Sequence, residues 1–252
     1  MAKRVVIGMS GGVDSAVAAS ILKEQGYDVI GLYMSNWKDT EPDGCCTGEQ
    51  DWTDVQGICA RIGIPYYSVD FSEQYMEHFF KLFVDEYKKG RTPNPDVLCN
   101  REVKFGPFAD FARKMGADYI ATGHYCNISH ENGVNYLLRA EDENKDQTYF
   151  LNQVRQEQLN DVLFPLGNMV KTDVRDYARS HNIPVAEKKD STGICFIGER
   201  NFRNFLKNYL PNKPGKVINI DTNEVIGEHI GLMNYTIGQR RGLNLGGNAE
   251  KS

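Results

Sequence analysis

Residues 3–35 read KRVVIGMSGGVDSAVAASILKEQGYDVIGLYMS, and the glycine pair in their middle narrows the folds open to the chain more than any other feature. Val5, Val6 and Ile7 form a short apolar run of the kind that fills a buried strand. Val13, Val17 and Ile21, with Ala18 and Leu22, then recur at helical spacing up to Gly26, a C-terminal helix signal. The stretch Gly8-Met9-Ser10-Gly11-Gly12-Val13-Asp14-Ser15 is therefore a tight strand-to-helix turn. Adjacent glycines let the backbone approach a bulky anion, and the helix start offers unpaired N–H groups, with Ser10 and Ser15 as further donors. A glycine-rich turn in any α/β protein satisfies the same pattern, so the loop alone does not fix the chemistry.

The same alternation continues. Residues 29–35 read as a second strand, 51–63 as a helix, 64–71 as a third strand, 102–116 as a helix and 117–125 as a short strand. Strands alternating with helices predict a doubly wound, mostly parallel α/β sheet. Ligands of such sheets sit at the carboxyl ends of the strands, so residues 8–15, 34–37 and 122–125 are expected to converge. Between them, residues 72–90 carry a Ser cap and an aromatic stripe, Phe79, Phe80, Phe83 and Tyr87, read as core packing. Beyond Cys126 the pattern changes to a hairpin around Asn132-Gly133, short helices in 146–154 and 171–184, and a small β-rich unit with Pro and Gly punctuation. The expected division is a catalytic domain over 1–208 and a β-rich domain over 209–252.

With 40% hydrophobic and 25% charged residues, the chain has the composition of a soluble globular protein. No apolar run is long enough for a membrane span, and MAKR leads straight into the first strand, so a cytoplasmic, monomeric protein without membrane contact is expected. Its six cysteines include no C-x-x-C pair, which argues against a zinc ribbon or a disulfide scaffold, and no metal site is expected. The net charge of −5 argues against non-specific nucleic-acid binding, yet residues 200–252 hold eight Lys and Arg against four Asp and Glu.

The loop lacks the Gly-Lys-Ser/Thr ending of a Walker A motif and the spacing of a dinucleotide fingerprint, but carries Asp14 inside the helix start, placed to order the loop or to reach Mg²⁺. Two further stretches stand out. In RTPNPDVLCNREVKF, residues 91–105, Pro93 and Pro95 are expected to stiffen an extended segment presenting Asp96 and Cys99. In KKDSTGICFIGERNF, residues 188–202, Cys195 follows STG. Each cysteine alone also reads as a buried core thiol. His124 has no evident partner and reads as structural.

The motif SGGVDS resembles the signature of the PP-loop ATP pyrophosphatases. Taken in order, GMSGGVDS, TPNPDVLCN, ATGHY, KDQTYFL, DSTGICFIGERNF and GQRRGL resemble the bacterial tRNA-specific 2-thiouridylases, from the first strand to the end of the chain. The resemblance implies a Rossmann-like PP-loop domain that binds ATP with Mg²⁺ through Gly8 to Ser15, with Met34 and Gly123 at the nucleoside end. It implies adenylation of the O2 atom of a wobble uridine and its replacement by sulfur, in tRNAs for lysine, glutamate and glutamine. Cys195 would carry a persulfide supplied by a cysteine desulfurase or a sulfur-relay protein. Cys99 would be the second thiol, the two ending as a disulfide, and Asp96 the general acid or base. An iron–sulfur cluster at Cys99 and Cys195 is the alternative. Asn94, Pro95 and Asp96 would meet the flipped target base, Lys145, Asp146 and Gln147 the tRNA, and Arg240 and Arg241 its phosphates. The family continues into a C-terminal β-barrel that would begin where this sequence stops, and the pair Cys45-Cys46 exceeds its pattern. A PP-loop amidotransferase acting on a small metabolite and a non-catalytic ATP-binding module are the rival readings; both leave Cys99 and Cys195 without a role.

Overall fold

The structure, a computed structural model, describes residues 2–37, 47–190, 209–239 and 242–243. Strand β1 (Arg4–Met9) leads through the glycine turn into α1 (Val13–Glu24), then β2 (Asp28–Ser35), α2 (Thr47–Ile62) and β3 (Tyr66–Asp70). A helical run follows, α3 (Ser72–Gln74), a wide turn Tyr75–Phe80 and α4 (Lys81–Lys88). Next come α5 (Pro95–Cys99), a wide helical stretch Asn100–Phe108 broken at Gly106, α6 (Ala109–Lys114) and β4 (Tyr119–Ala121).

Five strands form one all-parallel sheet in the order β3-β2-β1-β4-β7, with β7 at Val162–Leu163. The chain winds outward from β1 to β3 and then returns to the far side of β1 with β4. The winding reverses between β1 and β4, which opens a crevice at their carboxyl ends. Side chains alternate across the pleat: Val5, Ile7 and Met9 pack with Val17, Leu22, Ile58 and Val174, whereas Val6 packs with Leu32, Phe108, Ala112 and Ile120 on the other face. Both faces are covered, which is why the inner strands are continuously apolar.

The aromatic stripe is core. Phe79, Phe80, Phe83 and Tyr87 join Tyr75, Leu98, Cys99, Val103 and Leu210 in a separate cluster, with the Phe79 and Phe83 rings 5.5 Å apart. Ser72, read as the cap of this run, is instead its first helical residue; Phe71 holds the cap position, and the Asp70 carboxylate accepts the Ser72 N–H at 2.9 Å. The Pro93–Cys99 stretch also differs from the extended segment expected. Asn94 caps α5, its Oδ1 accepting from the N–H groups of Asp96 (2.9 Å) and Val97 (3.2 Å), and Pro95 takes the first helical position. Proline there loses no hydrogen bond and its fixed φ suits the helix, so the residue that stiffens a loop also starts a helix.

The hairpin β5 (Asn127–Glu131) and β6 (Val134–Leu138) turns at Asn132 (φ 51°) and Gly133 (φ 77°), the left-handed pair of a type I′ turn. A short turn at Thr148–Leu151 and α7 (Lys171–Ser180) follow, α7 closing over α1. The last described elements, β8 (Gly215–Ile218) and β9 (Val225–His229), form an antiparallel pair. No helix among the described residues is long and apolar enough to cross a membrane.

Candidate active site

The glycine turn is held from both sides. Gly11 adopts φ +73°, and a side-chain carbon there would lie 2.8 Å from the Asp51 carbonyl oxygen of α2. On the other side, a carbon on Gly123, just beyond β4, would lie 2.9 Å from the Ser15 nitrogen. Within the turn, Ser15 Oγ accepts the Ser10 N–H at 3.2 Å and donates to the Gly12 carbonyl at 3.1 Å, while Ser10 Oγ accepts the Gly12 N–H at 3.4 Å. Gly12 caps α1 without a side-chain acceptor, so the N–H groups of the first turn remain available to an anion.

These groups wall a cavity of about 320 Å³ at the reversal point of the sheet. Gly8, Met9, Ser10, Gly12, Val13, Asp14, Ser15, Met34 and Gly123 line it; Gly11 does not, being turned toward α2. Four lysines, Lys104, Lys145, Lys171 and Lys189, share the wall with two carboxylates, Asp14 and Asp190. The surplus of ammonium groups beside free helix-start amides suits a polyphosphate.

The carboxylates are internal counter-ions. Lys171 Nζ, largely buried at the start of α7, donates to Asp14 Oδ1 at 2.7 Å and pairs with Asp190 Oδ1 at 2.8 Å, and it sits 5.7 Å from the Tyr125 ring centroid. The Tyr125 hydroxyl donates to Asp14 at 2.8 Å; burial, with the Asp14 charge, pushes that phenol up, so it remains a donor. Asp190 also accepts from Lys145 and Arg175. Burial pushes its carboxyl up, but the hydrogen bonds from Lys171 and Lys145 outweigh it and hold the pKa at about 2. Asp14 thus fastens the loop to α7. No cluster of three His, Cys, Asp or Glu suited to a metal occurs among the described residues. A Mg²⁺ fits here only as it usually does with nucleotides, on phosphate oxygens with one or two carboxylates. One position earlier than the wall lysine, Lys188 Nζ donates to Asp51 (2.8 Å), Asp54 (2.7 Å) and the Gly11 carbonyl (3.1 Å), clamping the outside of the turn.

Asp96 and Cys99 lie three residues apart on α5. Burial raises the Asp96 carboxyl above its ordinary value, opposed by the charge of Lys104, which also lines the cavity. Cys99 is 2% exposed, packed in the aromatic cluster with Leu98 and Val103. His124, read as having no partner, has one: its Nδ1 lies 2.7 Å from Thr122 Oγ1, and burial holds it well below its ordinary value and so neutral. Of the KDQ triplet, Lys145 and Gln147 face the cavity, Gln147 Oε1 also accepting the Tyr125 N–H at 3.0 Å. Asp146 instead accepts from the Ala140 N–H and the Thr148 hydroxyl. Cys195, Cys45, Cys46, Arg240 and Arg241 lie outside the described residues.

The sequence reading missed Lys104, Tyr125, Lys171, Lys189 and Asp190. One signal was present: a lysine opening the helical pattern KTDVRDYARS places positive charge at the positive end of a helix, an unfavourable position unless an anion is near.

A doubly wound parallel sheet with an anion-cradling glycine turn and a lysine-walled cavity at its reversal point defines a nucleotide-binding α/β protein. The fold is similar to that of a 4-thiouridine synthetase solved with RNA and bound ATP, at a TM-score of 0.51 and 16% identity, covering 75% of this chain and 43% of that one. Residues 3–199 match the family described as the tRNA methyl transferase HUP domain, and residues 203–252 the tRNA methyl transferase PRC-barrel domain. The tRNA-specific 2-thiouridylase MnmA of Pediococcus pentosaceus is 60% identical over 250 residues, covering 99% of this chain and 66% of the relative. The tRNA-specific 2-thiouridylase MnmA 1 of Geobacillus kaustophilus is 60% identical over 245 residues, covering 97% of this chain and 66% of the relative. The chain belongs to the bacterial tRNA-specific 2-thiouridylase family, and spans 66% of the length of these relatives.

Proposed function

We propose that the protein transfers sulfur from a persulfide to C2 of the wobble uridine of tRNA, with ATP consumed to AMP and pyrophosphate. The observation that carries this reading is the adjacency of two chemistries: the lysine-walled anion cavity and, across Lys104, the helix bearing Asp96 and Cys99. The description of the matched domain family names methyl transfer, but a polyphosphate cradle supports ATP-driven activation rather than methylation.

In this reading Gly8 to Ser15 with Lys104, Lys171 and Lys189 hold the triphosphate, whose charge a Mg²⁺ would help neutralise, while Met34 and Gly123 border the nucleoside. The uridine O2 attacks the α-phosphorus and pyrophosphate leaves, its charge offset by loop amides and Lys171. The adenylated oxygen is then a good leaving group. The terminal sulfur of a Cys195 persulfide attacks C2, the C–O bond breaks and AMP departs. Cys99, as thiolate, attacks Cys195 Sγ; the S–S bond breaks, the 2-thiouridine is released, and a Cys99–Cys195 disulfide remains for external reduction. A raised Asp96 carboxyl suits proton exchange nearer neutral pH than an ordinary aspartate. Asn94, Pro95 and Asp96 would face the flipped base, and Lys145, Asp146 and Gln147 the surrounding tRNA, a cysteine desulfurase or relay protein supplying the sulfur. A division into a catalytic domain at 1–208 and a tRNA-contacting domain at 209–252 accompanies this assignment.

The test is nucleoside mass spectrometry of unmodified tRNA for lysine, glutamate or glutamine after incubation with the protein, ATP, Mg²⁺ and a persulfide source. Sulfur at the wobble uridine, lost in Cys99→Ala and Cys195→Ala, is the expected result. ATP bound without AMP formation, or thiolation indifferent to both cysteines, would overturn it.

A further inference from the structure

Tyr149 is 56% exposed, yet the turn that carries it is bonded through its neighbours on both sides. It stands on the Thr148–Leu151 turn, whose Leu151 is buried at 1% in the cluster with Phe105 and Phe164. The preceding Thr148 hydroxyl donates to Asp146 at 2.7 Å, with the Leu138 carbonyl 3.2 Å away. On the other side, the Phe150 N–H donates to Gln147 and the Phe150 carbonyl accepts from Asn100 Nδ2 at 3.2 Å. Its ring is backed by that of Phe150, with centroids 4.0 Å apart and planes tilted by 38°. Asn100 directly follows Cys99, so the turn is bonded to the end of the helix that carries Asp96 and Cys99.

A large ring held exposed on a braced turn, beside a candidate acid–base and thiol pair, costs apolar surface that folding would ordinarily bury. Single-stranded RNA bases are read largely by stacking on such rings, and a base leaving the anticodon stack needs a new face to lie on. Resting on the functional reading above, we propose that Tyr149 is the stacking platform for an anticodon-loop base delivered to the Asp96–Cys99 helix. Burial, together with the charges of Asp96 and Asp146, raises the Tyr149 phenol above its ordinary value, so the ring presents a neutral face at physiological pH.

The test compares Tyr149→Phe, Tyr149→Leu and Tyr149→Ala, none of which alters a buried position. Affinity for an anticodon stem-loop RNA is read by fluorescence anisotropy, thiolation by kcat/KM, and ATP affinity by calorimetry. Phe is expected to match the wild type. Leu and Ala are expected to lose about 5- to 150-fold in RNA affinity, the range of single base–aromatic stacking, with ATP affinity unchanged. Removing the stacked base from the RNA should abolish the difference between Tyr and Ala, and scanning abasic positions identifies which base it is. RNA affinity and kcat/KM within twofold of wild type in Tyr149→Ala, or Leu performing as well as Phe, would overturn the proposal while leaving wild-type thiolation intact. A wild-type protein that neither binds nor thiolates the RNA would overturn the functional reading and this inference together.

Discussion

Asp96 and Asp190 sit in opposite electrostatic circumstances within one site, and their pH signatures should have opposite sign. The folded-state pKa of Asp96 lies above its ordinary value of 3.8 because burial penalises the charged form. Its contribution to stability is present below that ordinary value and lost as pH rises through the folded-state pKa. Asp96→Asn should therefore raise the melting temperature at pH 7.5 and leave it unchanged near pH 3.5, while abolishing thiolation. Asp190, held at about 2 by Lys171 and Lys145 against the effect of burial, contributes stability above 3.8 that fades as pH falls toward 2. Asp190→Asn should lower the melting temperature at pH 7.5, the gap closing between pH 4 and pH 2. Thermal melts of the two variants across that range decide both. The sequence separates these residues poorly, because each is an aspartate beside a lysine or a proline. What differs is which side chains the fold delivers to them.

Among the elements, α5 shows how sequence and structure can part ways. Proline in a five-residue stretch is compatible with an extended loop and with a helix start, and local pattern alone does not choose. The choice lies in Asn94, whose side chain satisfies two N–H groups at the helix start. Asn94→Ala should cost about 1 kcal/mol of global stability, as lost caps do. It should cost thiolation more than that stability loss explains, since α5 sets the spacing of Asp96 and Cys99; urea unfolding and kcat measured on the same preparation separate the two. By contrast, the β5–β6 turn was legible because Asn-Gly accepts positive φ at both positions. Strand β7 was not, because a pair of residues carries no period. The strand–turn–helix of the glycine loop was legible because apolar spacing and local conformational demand agree there.

At the scale of the molecule, the wall of the cavity is assembled from Lys104, Lys145, Lys171 and Lys189, which no local pattern associates. The winding of the sheet brings them together, and α7 reaches the loop only because its apolar face packs on α1. A ligand in this cavity would therefore join segments distant in sequence and stabilise the fold as a whole. ATP at 100 times its dissociation constant should add about 2.7 kcal/mol, visible as a higher melting temperature. Lys171→Met should remove most of that gain by leaving Asp14 and Asp190 facing the phosphates without their shared cation. Calorimetry with ATP on both proteins checks it.

The clamp on the outside of the glycine turn also bears on how such a chain can change over generations. Lys188 holds Asp51 and Asp54 with one ammonium group and the Gly11 carbonyl with the same atom. Replacing either acid leaves the ammonium its bonds to the other and to the Gly11 carbonyl, so the clamp can change one acid at a time without losing the lysine at once. Gly11 has none: its backbone faces the Asp51 carbonyl, and no side chain at 51 can move that oxygen away. Lineages can thus renegotiate the ionic half of the clamp, while its steric half stays closed to them.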